Sequence, residues 1–226
     1  MSVAKRTYRG LHVPYVAPWT AEKPFSSPLV RQRGPRGPQI GYSDENPAVD
    51  RYEGVLWIRQ PIAPGIGRPD FPNMHSRRQR RAMNHMLCQV RGGSTFGRPD
   101  ERHLFLVSAP GGQLIAEGEK TTAAPVCVPC AVESISACPH LRDSYAAALV
   151  GYCPSWGVAG VVYDSSTLQP LPSETGGPLD LVAHDDPRLA WTVAARYVIS
   201  LHDVAPVDLF DLASLDGSRA FCEVGR

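Results

Sequence analysis

Three cysteines constrain the fold of this chain more than any other feature. Cys127-Val128-Pro129-Cys130 is a C-x-x-C pair, and Cys88 lies some forty residues upstream. Such a pair places two soft thiols within reach of one metal ion, or of each other. Around Cys88 the matching pair is incomplete: in Cys88-Gln89-Val90-Arg91 an arginine stands where a second cysteine belongs. Arg91 cannot ligate a metal, because its guanidinium stays cationic. Met1 to Gly10 holds basic residues with no apolar run behind them, so no signal peptide is expected and a cytoplasmic location is. In that reducing setting six cysteines point to metal or free thiols rather than to disulfides. Cys153 and Cys222 read as ordinary small residues.

Residues 1–50 contain seven prolines. Proline lacks an N–H donor, so this stretch reads as neither a helix nor a central strand. It reads as an arm that wraps the surface or is partly disordered, with Tyr8, Val13, Tyr15, Val16 and Trp19 able to dock. Residues 51–226 read as a single domain, with the knuckle region at 85–140. Val55 to Ile58 predicts a strand, 61–72 a proline- and glycine-punctuated loop, and 75–87 a helix packing through Ala82, Met83, Met86 and Leu87. Beyond the tight turn at 88–93, strands are predicted at 103–109, 113–116, 158–163, 179–183 and 207–212. Helices are predicted at 127–137 and 141–149. The clearest helical signal begins at Asp186-Pro187, a cap followed by proline at the first position, with Leu189, Ala190, Val193, Ala194, Tyr197, Val198 and Leu201 on one face. Strands and helices mix without a regular βαβ alternation. The fold class is therefore α+β: small mixed sheets and about four helices around a zinc knuckle.

The order of knuckle, hairpin and helix-opening C-x-x-C fits a treble clef. Cys88 would sit at the knuckle, 103–116 would supply the hairpin, and Cys127 and Cys130 would open the helix. Leu87-Cys88-Gln89-Val90-Arg91-Gly92 resembles a treble-clef knuckle with Arg91 in the second cysteine position, and Cys127 to Leu141 resembles uncharacterised zinc-knuckle proteins of GC-rich bacteria. The resemblance covers about residues 75–145 and carries no activity with it. It implies a structural zinc held by Cys88, Cys127 and Cys130. A fourth ligand must come from elsewhere. His85 is one candidate, three residues before Cys88, and Cys138 and His140 are others. Eight residues separate Cys130 from Cys138, about 12 Å along a continuous helix, so those two join only if the helix breaks early. Two alternatives stay open. The site has lost its metal and keeps buried thiols, or Cys127 and Cys130 do thiol–disulfide chemistry, the helix dipole lowering the first thiol's pKa.

A net charge of +1 excludes whole-molecule attraction to nucleic acid, so a basic surface must be local. Arg77, Arg78 and Arg81, with Arg91, form the candidate contact for anions or nucleic acid. The bland reading of such a run is a solvated helix face. Nuclease chemistry of the treble-clef kind needs histidines on hairpin and helix, and His103 has no such companion. His184-Asp185-Asp186 and His202-Asp203 suggest acid–base work, but a cap and a helix end account for them. Nucleophile-elbow, phosphate-loop and HExxH motifs are missing, and no apolar run approaches the ~20 residues that span a bilayer. The leading functional expectation is an interaction module for a protein or nucleic-acid partner. A small-molecule enzyme on a decayed zinc scaffold, with Arg91 as an anion-binding group, is the alternative.

Overall fold

The computed structural model describes residues 6–142, 144–174 and 176–215. β1 (Thr7–Tyr8) and β2 (Leu11–His12) form a hairpin whose turn, Arg9-Gly10, has positive φ at both residues. β3 (Leu29–Gly34) and β4 (Gly37–Tyr42) form a second hairpin. Both are two-stranded, so the prolines of this stretch enter no central ladder. Val13, Val16, Ala17, Trp19, Ile40 and Tyr42 are buried. The amides of Tyr15 and Val16 donate to the carbonyls of Val90 and Gln89, which sets this stretch directly on the Cys88 turn.

α1 (Pro47–Asp50) starts at an Asn46 cap and leads into β5 (Arg51–Tyr52) and β6 (Val55–Trp57). α2 (Ser76–Asn84) buries Gln79, Ala82 and Met83. Gln79 is a polar residue with no exposed surface, and its side chain is fully used. Its Nε2 donates to the carbonyls of Thr122 and Tyr197, and its Oε1 accepts from the amide of Tyr197, each at 2.9 Å.

β7 (His103–Ser108), β8 (Lys120–Thr121), α3 (Val128–Ala137), α4 (Pro139–Arg142), β9 (Tyr145–Tyr152), β10 (Ser155–Val162) and β11 (Asp180–Ala183) follow. β12 (Thr192–Ser200) and β13 (His202–Pro206) come next, and residues 209–215 are helical. Five strands run in the order β11-β10-β12-β6-β5, with β8 also paired to β12; β13-β9-β7 form a second, antiparallel sheet. The chain passes directly between the sheets twice, from β9 to β10 and from β12 to β13. Strand alternation divides the second sheet between two cores. Phe105, Ala146, Ala148 and Val150 face a core shared with Trp57, Met83 and Tyr197. Leu104, Leu106, Ala147 and Leu149 face the other way, toward Cys88, Cys130, Ile135 and Leu209.

The α+β class holds, and several elements depart from expectation. The segment expected as the clearest helix is a 3₁₀ turn (Pro187–Trp191) followed by β12. Asp186 does cap the turn, accepting from the Arg188 amide, but the chain then becomes the central strand between β10 and β6. A strand buried on both faces loses its polar alternation, so its apolar residues mimic a helical face. Thr192, Val193, Val198 and Ile199 are the β-branched residues that favour the extended form. Residues 145–149, expected helical, lie in β9. Residues 207–212, expected as a strand, include the start of the 209–215 helix. Residues 113–116 form no strand, and β7 pairs instead with β9, beyond α3. The hairpin that a treble clef places between knuckle and helix is therefore not made by 103–116. Among the described residues no helix is long and apolar enough to cross a membrane.

Candidate metal centre

Cys88 follows the last turn of α2 and begins a closed loop. Its amide donates to Gly93 O and its carbonyl accepts from Gly92 N, both at 2.7 Å. Gly92, at φ +70°, supplies the left-handed residue this turn requires. Cys127 occupies the N-cap of α3, and its carbonyl accepts from the Ala131 amide. Pro129 falls within the first helical turn, where its missing N–H costs nothing. Cys130 lies one turn in, and the Ser134 hydroxyl donates to its carbonyl. The loop and the approach to α3 are joined by the Gln89 amide donating to Pro125 O at 2.9 Å. On the other flank His12 contacts Glu133 of α3 at 3.2 Å.

These constraints gather the Cys88, Cys127 and Cys130 sulfurs within 4.8 Å of one another. Cys88 and Cys130 are buried and Cys127 is half-buried; all three are free thiols. A tetrahedral zinc with Zn–S near 2.3 Å needs sulfurs roughly 3.8 Å apart, so the spacing is compatible with one thiophilic ion. Without an ion the three share protons. Cys127 and Cys130 donate S–H bonds to Cys88, and the Arg91 amide adds a third donor, so the Cys88 thiol titrates far below its usual range despite burial. Cys130 is pushed up by the same contacts, Cys127 first and Cys88 next. For Cys127 the bond with Cys130 lowers the pKa, but the thiolate of Cys88 and burial outweigh it, and the net shift is upward. A redox C-x-x-C depends on a depressed first thiol. Here the first thiol of the pair, Cys127, is shifted upward, and the three sulfurs together form a donor set compatible with a metal ion.

The expected fourth ligands are not in this group. His85 is the C-cap of α2, three residues before Cys88, but it is exposed and its ring is outside the group. α3 runs unbroken to Ala137, which carries Cys138 to its C-cap, about 12 Å along the axis from Cys130. His140 lies exposed on α4, and its carbonyl accepts from Ser108. Arg91 is exposed, with its side chain folded along Gly93.

The arginines of α2 divide around the helix. Arg77 and Arg81 are exposed and have no ion-pair or hydrogen-bond partner among the described residues. Arg80 lies over the rings of Trp57 and Tyr52, at 4.3 and 4.5 Å. Arg78 corrects the sequence reading. It is committed internally, donating to both carboxylate oxygens of Glu22 at 2.7 Å and to Ala17 O. A wide groove of about 750 Å³ runs along this helix, with Arg77, Arg81, His85, Tyr15 and Tyr52 among its walls.

One further constellation escaped the sequence. Tyr197 OH donates to Ser155 Oγ at 2.6 Å, and Ser155 Oγ lies 2.5 Å from His184 Nε2. Tyr197 lies in β12, paired with β10, and reaches Ser155 at the start of that strand. Among the described residues no carboxylate hydrogen-bonds the other nitrogen of His184. Asp186 is engaged with Arg188, so the orienting third member of a catalytic triad is lacking. Neither protein-family models, nor curated proteins, nor solved structures yield a match to this chain.

Proposed function

We propose that this chain is a metal-stabilised binding module, with one zinc ion held by Cys88, Cys127 and Cys130 and an anionic partner received along α2. The observation that carries the reading is the gathering of three soft thiols from two distant segments within 4.8 Å. Thiolate donors favour zinc among the common divalent ions, and a bound ion would convert shared protons into three metal bonds. Its role is structural: it ties the turn after α2 to the start of α3 and so fixes where the arginines of α2 stand. The fourth position is filled from outside this group, by water or by a partner's donor.

The α2 groove supports the second half of the reading. Arg77 and Arg81 offer unneutralised charge, and Tyr15 adds an aromatic ring to the same wall. Nucleic acid is the partner class to test first.

Elemental analysis of untagged protein, with a free-thiol count before and after chelation, tests the metal. One zinc per chain, three thiols released on chelation and loss of zinc in Cys88→Ser are expected. Metal-free protein that stays folded with unchanged thiols would overturn it. The partner is tested by titrating single-stranded DNA and RNA at several salt concentrations. Affinity should fall steeply with salt, and the Arg77→Ala/Arg81→Ala double variant should flatten that slope by about two. Salt-independent binding, or none, would remove nucleic acid as the partner.

A further inference from the structure

Ser155, His184 and Tyr197 form a constellation that neither the thiol group nor the α2 groove uses. Ser155 opens β10, directly after Cys153-Pro154, and is exposed. Its Oγ lies 2.5 Å from His184 Nε2 and accepts from Tyr197 OH at 2.6 Å. A hydroxyl that accepts from Tyr197 keeps one proton to give, and His184 Nε2 is the acceptor placed to take it. The serine is thus polarised from both sides. A base draws its proton, and a phenol is in position to share the negative charge left on Oγ. That phenol is 5% exposed, and burial raises its pKa, so it remains a donor.

The sheet holds the three groups in place. Tyr197 lies in β12, with its amide and its carbonyl both bonded by Gln79. β10 pairs with β11 on one side and β12 on the other. Its register with β12 shifts between Ser155 and Gly157, which leaves Trp156 as an extra residue. Such a bulge re-aims the side chains beside it. His184 follows β11 directly, and its amide donates to Trp156 O at 3.0 Å. The base is therefore tied by backbone to the neighbour of the nucleophile.

The surroundings narrow the chemistry. Among the described residues no carboxylate orients the imidazole: Asp186 is engaged with Arg188, and Asp185 makes no hydrogen bond. A dyad without that third member suits acyl donors whose leaving group needs little help, aryl esters and thioesters rather than amides. His184 also lines an open cavity of about 570 Å³, within the range of small-molecule sites. Pro38, Pro187 and Trp191 give it an apolar wall. Arg36 and Asp185 add one charge of each sign, neither in an ion pair among the described residues. Opposite charges favour no net charge on the molecule between them.

We propose that Ser155 is a nucleophile for acyl transfer from small uncharged aryl esters or thioesters, with His184 as its base and Tyr197 as the donor that supports Oγ. In the first step Ser155 Oγ bonds to the acyl carbon and its proton passes to His184 Nε2. The bond from that carbon to the leaving group breaks, and the departing oxygen or sulfur takes the proton. In the second step water attacks the acyl-serine and gives a proton to the same base. The free acid leaves, and Ser155 regains its proton. None of this depends on the metal or on the nucleic-acid reading.

The test treats the full chain with a fluorophosphonate, which labels hydroxyl nucleophiles and spares thiols, and locates the adduct by peptide mass analysis. One adduct per chain, on Ser155, is expected. Because Ser155 is exposed, Ser155→Ala keeps the fold and should take no label. His184→Gln should slow labelling at least about a hundredfold, the usual contribution of a general base. Tyr197→Phe, which keeps the buried ring, should slow it about tenfold, the worth of one hydrogen bond to a charged group. Phenyl acetate should be hydrolysed faster by wild type than by Ser155→Ala, a difference to which the free thiols contribute nothing. Label spread over several hydroxyls, labelling that His184→Gln or Tyr197→Phe leaves unchanged, or equal turnover of phenyl acetate by wild type and Ser155→Ala would each overturn the proposal.

Discussion

Arg78→Met distinguishes a structural arginine from a recognition arginine on the same helix. Glu22 is fully buried. It accepts from Arg78 through both oxygens at 2.7 Å, from the Trp19 amide at 2.8 Å and from the Ala63 amide at 2.9 Å. Burial works to raise the pKa of Glu22, but the Arg78 guanidinium and the two amides outweigh it and hold the carboxyl below its usual range. Methionine preserves the apolar stem and removes the charge. It leaves a buried carboxylate with only amide donors. Breaking one partner of a buried pair costs about 3–5 kcal/mol. Because the amides remain, we expect about 3 kcal/mol, a large share of the roughly 5–15 kcal/mol that holds a domain together. Arg77→Met, one position earlier and exposed, should change stability by less than about 0.5 kcal/mol. Urea unfolding followed by tryptophan fluorescence reads both, provided the slope is unchanged. The pH dependence follows from the sign of the shift. A folded pKa below the unfolded value near 4.3 gives stability that is fully present above that value and is lost as pH falls through the folded pKa. Without Arg78, burial raises the carboxyl's pKa, so Glu22 is protonated in acid at little cost. The gap between wild type and Arg78→Met should therefore narrow below about pH 4. Equal, small effects of the two substitutions at pH 7 would refute the buried-pair account.

Three further outcomes follow from the fold and the thiols. Zinc affinity, measured by competition with a chromophoric chelator, should weaken as pH falls, because Cys127 and Cys130 must release protons before they ligate; a flat profile would count against thiolate ligation. Gln79→Leu should destabilise by about 2–4 kcal/mol in the same urea assay, since it strands both backbone groups of Tyr197 and the carbonyl of Thr122. Gly157→Ala should cost at least about 2 kcal/mol, because a Cβ there would lie 2.1 Å from Val182 O, and β10 could keep its partner β11 only by moving apart from it; a neutral effect would mean the two strands are not held at that register.

The elements read correctly from sequence are those whose local signals go unopposed. Residues 76–84 are helix formers that bury Ala82 and Met83 beside Ser76 and Gln79, and Cys127 to Ala137 holds a proline tolerated in the first turn. The elements misread are those where burial erased the pattern. In β12 Val193 faces one core while Ala194 and Tyr197 face another, so its single charged residue, Arg196, marks no alternation. β9 is similar: its alanines face alternately into two cores, and alanine has the highest helix propensity. The pairing of β7 with β9 spans roughly forty residues and α3. A nearby segment with the right composition, 113–116, stood in for it in the sequence reading because proximity along the chain is the only pairing clue a single sequence offers.

The two candidate sites differ in legibility for the same kind of reason. Few residue types ligate soft metals, so three cysteines at suggestive spacing stand out in a sequence, and Cys88, Cys127 and Cys130 do converge. An arginine has many uses, and its sequence position reveals charge without revealing what neutralises it. Arg77, Arg78, Arg80 and Arg81 look alike in sequence. In the fold one pairs with a buried glutamate, one lies on two aromatic rings, and two face outward without side-chain partners among the described residues. What separates them is Glu22, Tyr52 and Trp57, all supplied from outside α2 by segments that carry no motif.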